Sequence, residues 1–76
     1  MELHIITPNG AALHKAEAVF LPGAAGAFEV LRGHAPIIST LSAGDIRWRS
    51  EGVEQSFRIS CGTVMVENDV IKVCAE

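Results

Sequence analysis

Turn-forming residues interrupt this chain so often that no helix of ordinary length fits between them. The breaks are Pro8-Asn9-Gly10, Pro22-Gly23, Gly33 with Ala35-Pro36, Ser42-Ala43-Gly44, Ser50-Glu51-Gly52, Cys61-Gly62 and Asn68-Asp69. Between them apolar and polar residues alternate, and no window carries a helical period. A chain cut this way folds as short strands.

The strands follow from the alternation. Glu2–Thr7 is rich in β-formers, and Ala11–His14 is a weaker segment after the first turn. Lys15–Leu21 reads as one strand with apolar residues on both sides: Glu17, Val19 and Leu21 share one face, Ala16, Ala18 and Phe20 the other. One face is then expected to meet the core and the other a neighbouring chain. Ala27–Leu31 offers Phe28 and Val30 as a core pair. Ile37–Ala43 fits either a strand or one helical turn. Asp45–Arg49 points Ile46 and Trp48 inward, and Val53–Ser60 does the same with Phe57 and Ile59. Cys61-Gly62 marks a bulge or corner. Thr63–Glu67, with Val64 and Val66 inward, turns at Asn68-Asp69 into Val70–Cys74. The expected fold is all-β: a flattened sandwich or barrel of roughly eight to ten short strands in one domain over residues 1–76, with no helical hairpin.

Composition narrows the function. With 76 residues the chain is short of core, and domains of this size lean on a staple, a metal or a partner. A net charge of −3 with scattered cations argues against nucleic acid, which needs clustered Lys and Arg. The apolar runs are far too short to span a membrane, and nothing at the start resembles a secretion signal. Cys61 and Cys74 are expected to be reduced, buried thiols acting as small hydrophobes, which goes with a cytoplasmic setting.

No reaction is encoded in a motif. There is no G-x-S-x-G elbow and no Walker-type loop. Gly23-Ala-Ala-Gly26 lacks the lysine and the following helix of a phosphate cradle, so it reads as a turn. His34, Ser39 and Asp45 supply the residue types of a triad, but a triad is defined by geometry. His4, His14, His34, Cys61 and Cys74 lack metal-ligand spacing. His4 and His14 read as strand-surface residues. His34 stands apart, between Gly33 and Ala35-Pro36: its imidazole either ties down its own loop through a backbone hydrogen bond or presents a contact, and both roles are compatible.

The glycines and the G-H-A-P tetrapeptide carry a resemblance. Gly23-x-x-Gly26-x-Phe28-x-Val30-Leu31-x-Gly33-His34-Ala35-Pro36 followed by Leu41-x-x-Gly44-x-Ile46 resembles the signature of the epsilon-subunit family of rotary ATP synthases. Leu3–Pro8, Phe57–Val66 and Asn68–Ala75 fit the same pattern in register, so the resemblance covers nearly the whole chain.

That resemblance implies a flattened sandwich of about ten strands, the family's N-terminal domain, and a non-catalytic role in the central stalk without cofactor or metal. It implies the gamma subunit on one side, with Ile37, Ile38, Thr40 and Leu41 as contacts. It implies the membrane c-ring at loops of one end, with Gly26, Ala27, Glu29, Arg32 and His34 as contacts. Gly23, Gly33, Ala35, Pro36 and Gly44 would shape those loops. The setting implied is the cytoplasmic face of the bacterial inner membrane, where ion flow through the ring turns the stalk. Some family members carry a carboxylate at the position of Ala27. Here the nearest acid is Glu29, on the same side of an extended strand about 7 Å away, so Glu29, together with Arg32, is expected to take over the polar contact. Family members commonly continue into a two-helix hairpin that restrains ATP hydrolysis and in some binds ATP. This sequence stops at Glu76, so both features are expected to be missing. The alternative, from a different class, is a free-standing β-sandwich binding a ligand or metal through His34, Cys61 and Cys74.

Overall fold

The computed structural model describes residues 1–76 as nine strands and no helix. They are β1 (Glu2–Thr7), β2 (Gly10–Lys15), β3 (Ala18–Leu21), β4 (Phe28–Leu31), β5 (Ile37–Leu41), β6 (Gly44–Ser50), β7 (Val53–Ile59), β8 (Gly62–Glu67) and β9 (Val70–Ala75). Ile37–Leu41 is therefore a strand and not a helical turn. The strands form a five-stranded sheet in the order β2-β1-β9-β8-β5 and a four-stranded sheet in the order β4-β3-β6-β7. Neighbours pair antiparallel except β1 and β9, which run parallel.

Alternation decides what each strand buries. Leu3, Ile5, Val64, Val66, Ile71, Val73 and Leu41 from the larger sheet meet Val19, Leu21, Val30, Ile46, Trp48 and Ile59 from the smaller. Phe28 and Ile37 are partly buried against this core. Phe57 also lies on the inward side of its strand, but β7 borders its sheet, so the ring stays 41% exposed at the open margin.

Three expectations change. Lys15–Leu21 is not one strand: the chain leaves the larger sheet at Lys15, turns at Ala16 and Glu17, and enters the smaller sheet at Ala18. Ala16 exchanges backbone hydrogen bonds with Met1, at 2.9 and 3.0 Å, while the Glu17 amide donates to the Arg49 carbonyl at 2.8 Å. A segment that switches sheets uses apolar residues on both sides within its own chain. Ala16, Ala18, Val19 and Leu21 are all buried, so the pattern calls for no neighbour there.

His14 is the second change. It turns inward from β2, and its ring lies 4.6 Å from that of Trp48, centre to centre. The third concerns the thiols. Cys61 and Cys74 are both exposed and free. Cys74 falls on the outward phase of β9, and Cys61 sits at the crossing between sheets, where Ser60 donates to the Glu76 carbonyl and Glu76 donates to Cys61. That is the expected bulge, with two residues facing one, and it turns the cysteine outward.

Candidate interaction faces

Register arranges the outward side chains of the larger sheet in rows. Leu13, His4, Lys72, Met65 and Ile38 follow one another across its five strands. The next row is Ala11, Ile6, Cys74, Thr63 and Thr40, with no charge in it. Ile38 is 78% exposed and directly faces Met65, which is also exposed, in the neighbouring strand.

The outer face of the smaller sheet is built differently. Its in-register rows are Leu31, Ala18, Arg49, Glu54 and Glu29, Phe20, Arg47, Ser56, followed by Asp45 beside Arg58. Arg47 lies over the Phe20 ring at 4.9 Å and pairs with Glu54 at 3.1 Å, while Arg58 lies 3.7 Å from Asp45. Charges interleaved in this way make a solvated surface. The outer face of the larger sheet exposes Leu13, Ile6, Met65 and Ile38, whereas that of the smaller sheet exposes a single large apolar side chain, Leu31, on its edge strand.

The residues expected to face gamma divide by strand phase. Ile38 and Thr40 point outward; Ile37 is partly buried against the core, and Leu41 is 1% exposed. Leu41 is used in the core, so it has no surface left for a contact.

The residues expected to face the c-ring do not gather at one end. Gly26 and Ala27 precede β4, Glu29 is exposed along it, and Arg32 and His34 follow it. Strand β4 spans the edge of its sheet, so its two loops occupy opposite ends of the sandwich. The Gly23–Gly26 turn closes through a 3.0 Å hydrogen bond and is tied to β5 by Ala24 donating to Thr40 at 2.9 Å. A β-carbon on Gly23 would overlap the Gly26 carbonyl oxygen, which explains the first glycine of the signature. The Ser42 amide and hydroxyl both donate to the Pro22 carbonyl, at 2.9 and 3.3 Å, fastening the loop before Gly44 to the same end.

At the other end, the His34 amide donates to the Leu31 carbonyl at 3.1 Å, closing a tight turn with Gly33 at φ 80°. The imidazole Nδ1 donates to the Ala35 carbonyl at 2.7 Å. His34 therefore does tie down its own loop. The Gly33 amide donates to the Asp69 carboxylate at 2.7 Å, joining this loop to the β8–β9 turn. Asn68 and Asp69 there both have positive φ, 51° and 59°, the geometry of a two-residue hairpin turn.

The other constellations stay apart. His34 lies at the end opposite Cys61 and Cys74, so the proposed ligand or metal set does not form. Ser39 is on β5 and Asp45 on β6, in different sheets, so the triad does not assemble either. Sequence reading missed one feature: a hollow of about 240 Å³ between β2 and β7, lined by Ile5, Ala12, His14, Trp48 and Phe57 among others. The Trp48 Nε1 is buried beside it without a hydrogen-bond partner. Its only sequence signal was the inward phase shared by Trp48 and Phe57.

Comparison with known proteins agrees with the fold. Residues 1–76 match the family described as ATP synthase, Delta/Epsilon chain, beta-sandwich domain. The chain is 32% identical over 77 residues to a protein of Citrifermentans bemidjiense named ATP synthase epsilon chain, covering 100% of this chain and 56% of that one. A protein of the same name from Wolinella succinogenes is 37% identical over 78 residues, covering 100% and 60%. The chain thus spans a little over half the length of these relatives. Among solved structures, a chain of the Euglena gracilis mitochondrial ATP synthase superposes with a TM-score of 0.87 at 22% identity, covering 96% of this chain and 48% of that one. A chain of the Tetrahymena thermophila mitochondrial ATP synthase central stalk and c-ring gives 0.79 at 13% identity, covering 99% and 62%. At those identities the likeness is one of fold. The family match over all 76 residues is what identifies the sequence: it belongs to the ATP synthase delta/epsilon chain family, as its β-sandwich domain.

Proposed function

We propose that this domain is a non-catalytic part of the central stalk of a bacterial ATP synthase, joining the gamma subunit to the c-ring on the cytoplasmic side of the membrane. The observation that carries the reading is the unlike character of the two broad faces. One is a lattice of paired charges, and the other presents Ile38 and Met65 beside an uncharged row. Gamma docks on the latter, against Ile38, Thr40 and Met65, with Ile37 supporting them from beneath. A joint that must carry torque buries apolar area, as permanent interfaces do.

The ring contact falls to the end that carries Gly26 and Ala27, with Glu29 as the nearest carboxylate along β4. Arg32 and His34, at the opposite end, are left out of it, and His34 instead ties down the loop that Gly33 fastens to Asp69. No bond is made or broken in this domain.

Co-purification with gamma tests the docking face. Tagged wild-type chain should retain gamma from the same organism, and Ile38→Asp should lose it, because a charge would be buried in an apolar contact. Arg47→Ala, on the charged face, should retain gamma. If Ile38→Asp held gamma as well as wild type, the docking face would be wrong.

A further inference from the structure

We propose that β7 is a self-complementary edge through which two copies of this chain pair, joining their four-stranded sheets into one. The strand runs seven residues, Val53–Ile59, at the border of its sheet, and it is exposed over all but the last residue. It contains no proline and no bulge, two of the devices that normally blunt an edge.

The backbone phase comes first. Ser50 and Val53 close the two-residue turn Glu51-Gly52, whose φ angles are both positive, 51° and 77°. The pair flanking such a turn is hydrogen-bonded, and bonded pairs recur at every second residue. Val53, Gln55, Phe57 and Ile59 therefore direct their amides and carbonyls to β6. Glu54, Ser56 and Arg58 direct theirs to the open edge.

A second copy approaching antiparallel about a two-fold axis at Ser56 matches this phase. Ser56 pairs with Ser56 of the second copy, and Glu54 pairs with Arg58 of the second copy on both sides of the axis. Asp45 stands opposite Arg58 within the chain, and Arg49 opposite Glu54. Each flanking row of the joined sheet then reads Asp45, Arg58, then Glu54 and Arg49 of the second copy. The signs alternate across four strands, and opposite charges directly across a ladder are favourable.

Other registers in the same phase do worse. A shift of one bonded pair sets the charges against serine. A larger shift sets Glu54 against Glu54 or Arg58 against Arg58. The charges that would ordinarily repel an edge here specify one partner and one register. On the inward side the pairing covers Val53 and Phe57, both exposed in the single chain.

The proposed gamma face is left free. Strand β5 lies at the opposite margin, tied to the β3–β4 loop by the bridge between Gly23 and Leu41, whereas β7 borders the hollow it shares with β2.

Sedimentation equilibrium of the whole chain from micromolar to millimolar concentration tests this. Wild type should show a monomer–dimer equilibrium. Ser56→Pro should remain monomeric with an unchanged circular dichroism spectrum, since that amide faces the open edge and not the ladder. Glu54→Arg alone and Arg58→Glu alone should each weaken the dimer by about tenfold or more, each homodimer carrying two like-charge contacts. Mixing the two variants should restore it, because the mixed dimer regains both opposite-charge pairs. Wild type that stays monomeric throughout, Ser56→Pro that dimerises normally, or a mixture no tighter than its components would overturn the proposal.

Discussion

A β-carbon at Gly23 would run into the Gly26 carbonyl and stand 2.9 Å from the Phe28 ring, so the residue's size matters more than its freedom. Gly23→Ala should cost about 1–3 kcal/mol in denaturant unfolding, as overpacking of a fixed site does. Asp69 makes a different contribution. Its carboxylate accepts the Gly33 amide, joining two loops distant in sequence. Asp69→Gly keeps a residue that tolerates the positive φ but removes the acceptor. It should cost about 0.5–1.5 kcal/mol and speed hydrogen exchange at the Gly33 amide. These contacts also mark what could be read at single residues. The glycines and G-H-A-P were legible because tight turns restrict residue type. The exposure of Cys61 was not, because it depends on a bulge formed against Glu76, fifteen positions away.

Strand β5 shows what alternation settles and what it leaves open. The turn chemistry around it was plain, but Ile37–Leu41 is too short for period alone to separate strand from helical turn. Pairing with β8 decides it, and with the phase fixed, Ile38 and Leu41 part company. Leu41→Ala should destabilise the fold by about 2–5 kcal/mol, as deletion of a buried leucine does. Ile38→Ala should change stability by no more than about 0.5 kcal/mol while weakening gamma binding. A single unfolding series on both variants checks the contrast. Lys15–Leu21 failed for a related reason: apolar residues on both faces fit a strand between two partners and equally a segment passing from one sheet to the other. Only the hydrogen bonds from Ala16 to Met1 and from Glu17 to Arg49 tell them apart.

For the whole molecule, the all-β architecture follows from local signals, since turns recur everywhere and helical period nowhere. The order of strands in each sheet does not, because β1–β9 pairing joins the two ends of the sequence. The proposed sites share that limit. Gly26, Ala27, Arg32 and His34 are close in sequence, yet β4 holds the two pairs at opposite ends of the sandwich. That leaves Glu29 as the carboxylate of the proposed ring contact. Glu29→Ala should weaken ring association only a few-fold, the scale of an exposed ion pair, and lower ATP-driven proton pumping accordingly. Arg32→Ala should leave both unchanged. In the proposed arrangement gamma docks on the outer face of the five-stranded sheet. Amide chemical-shift mapping of the labelled chain on addition of gamma tests it most directly. The predicted result is perturbation centred on Ile38, Thr40 and Met65, with Arg47 and Glu54 unmoved. Perturbation centred on the charged face of the four-stranded sheet, or none at all, would contradict it.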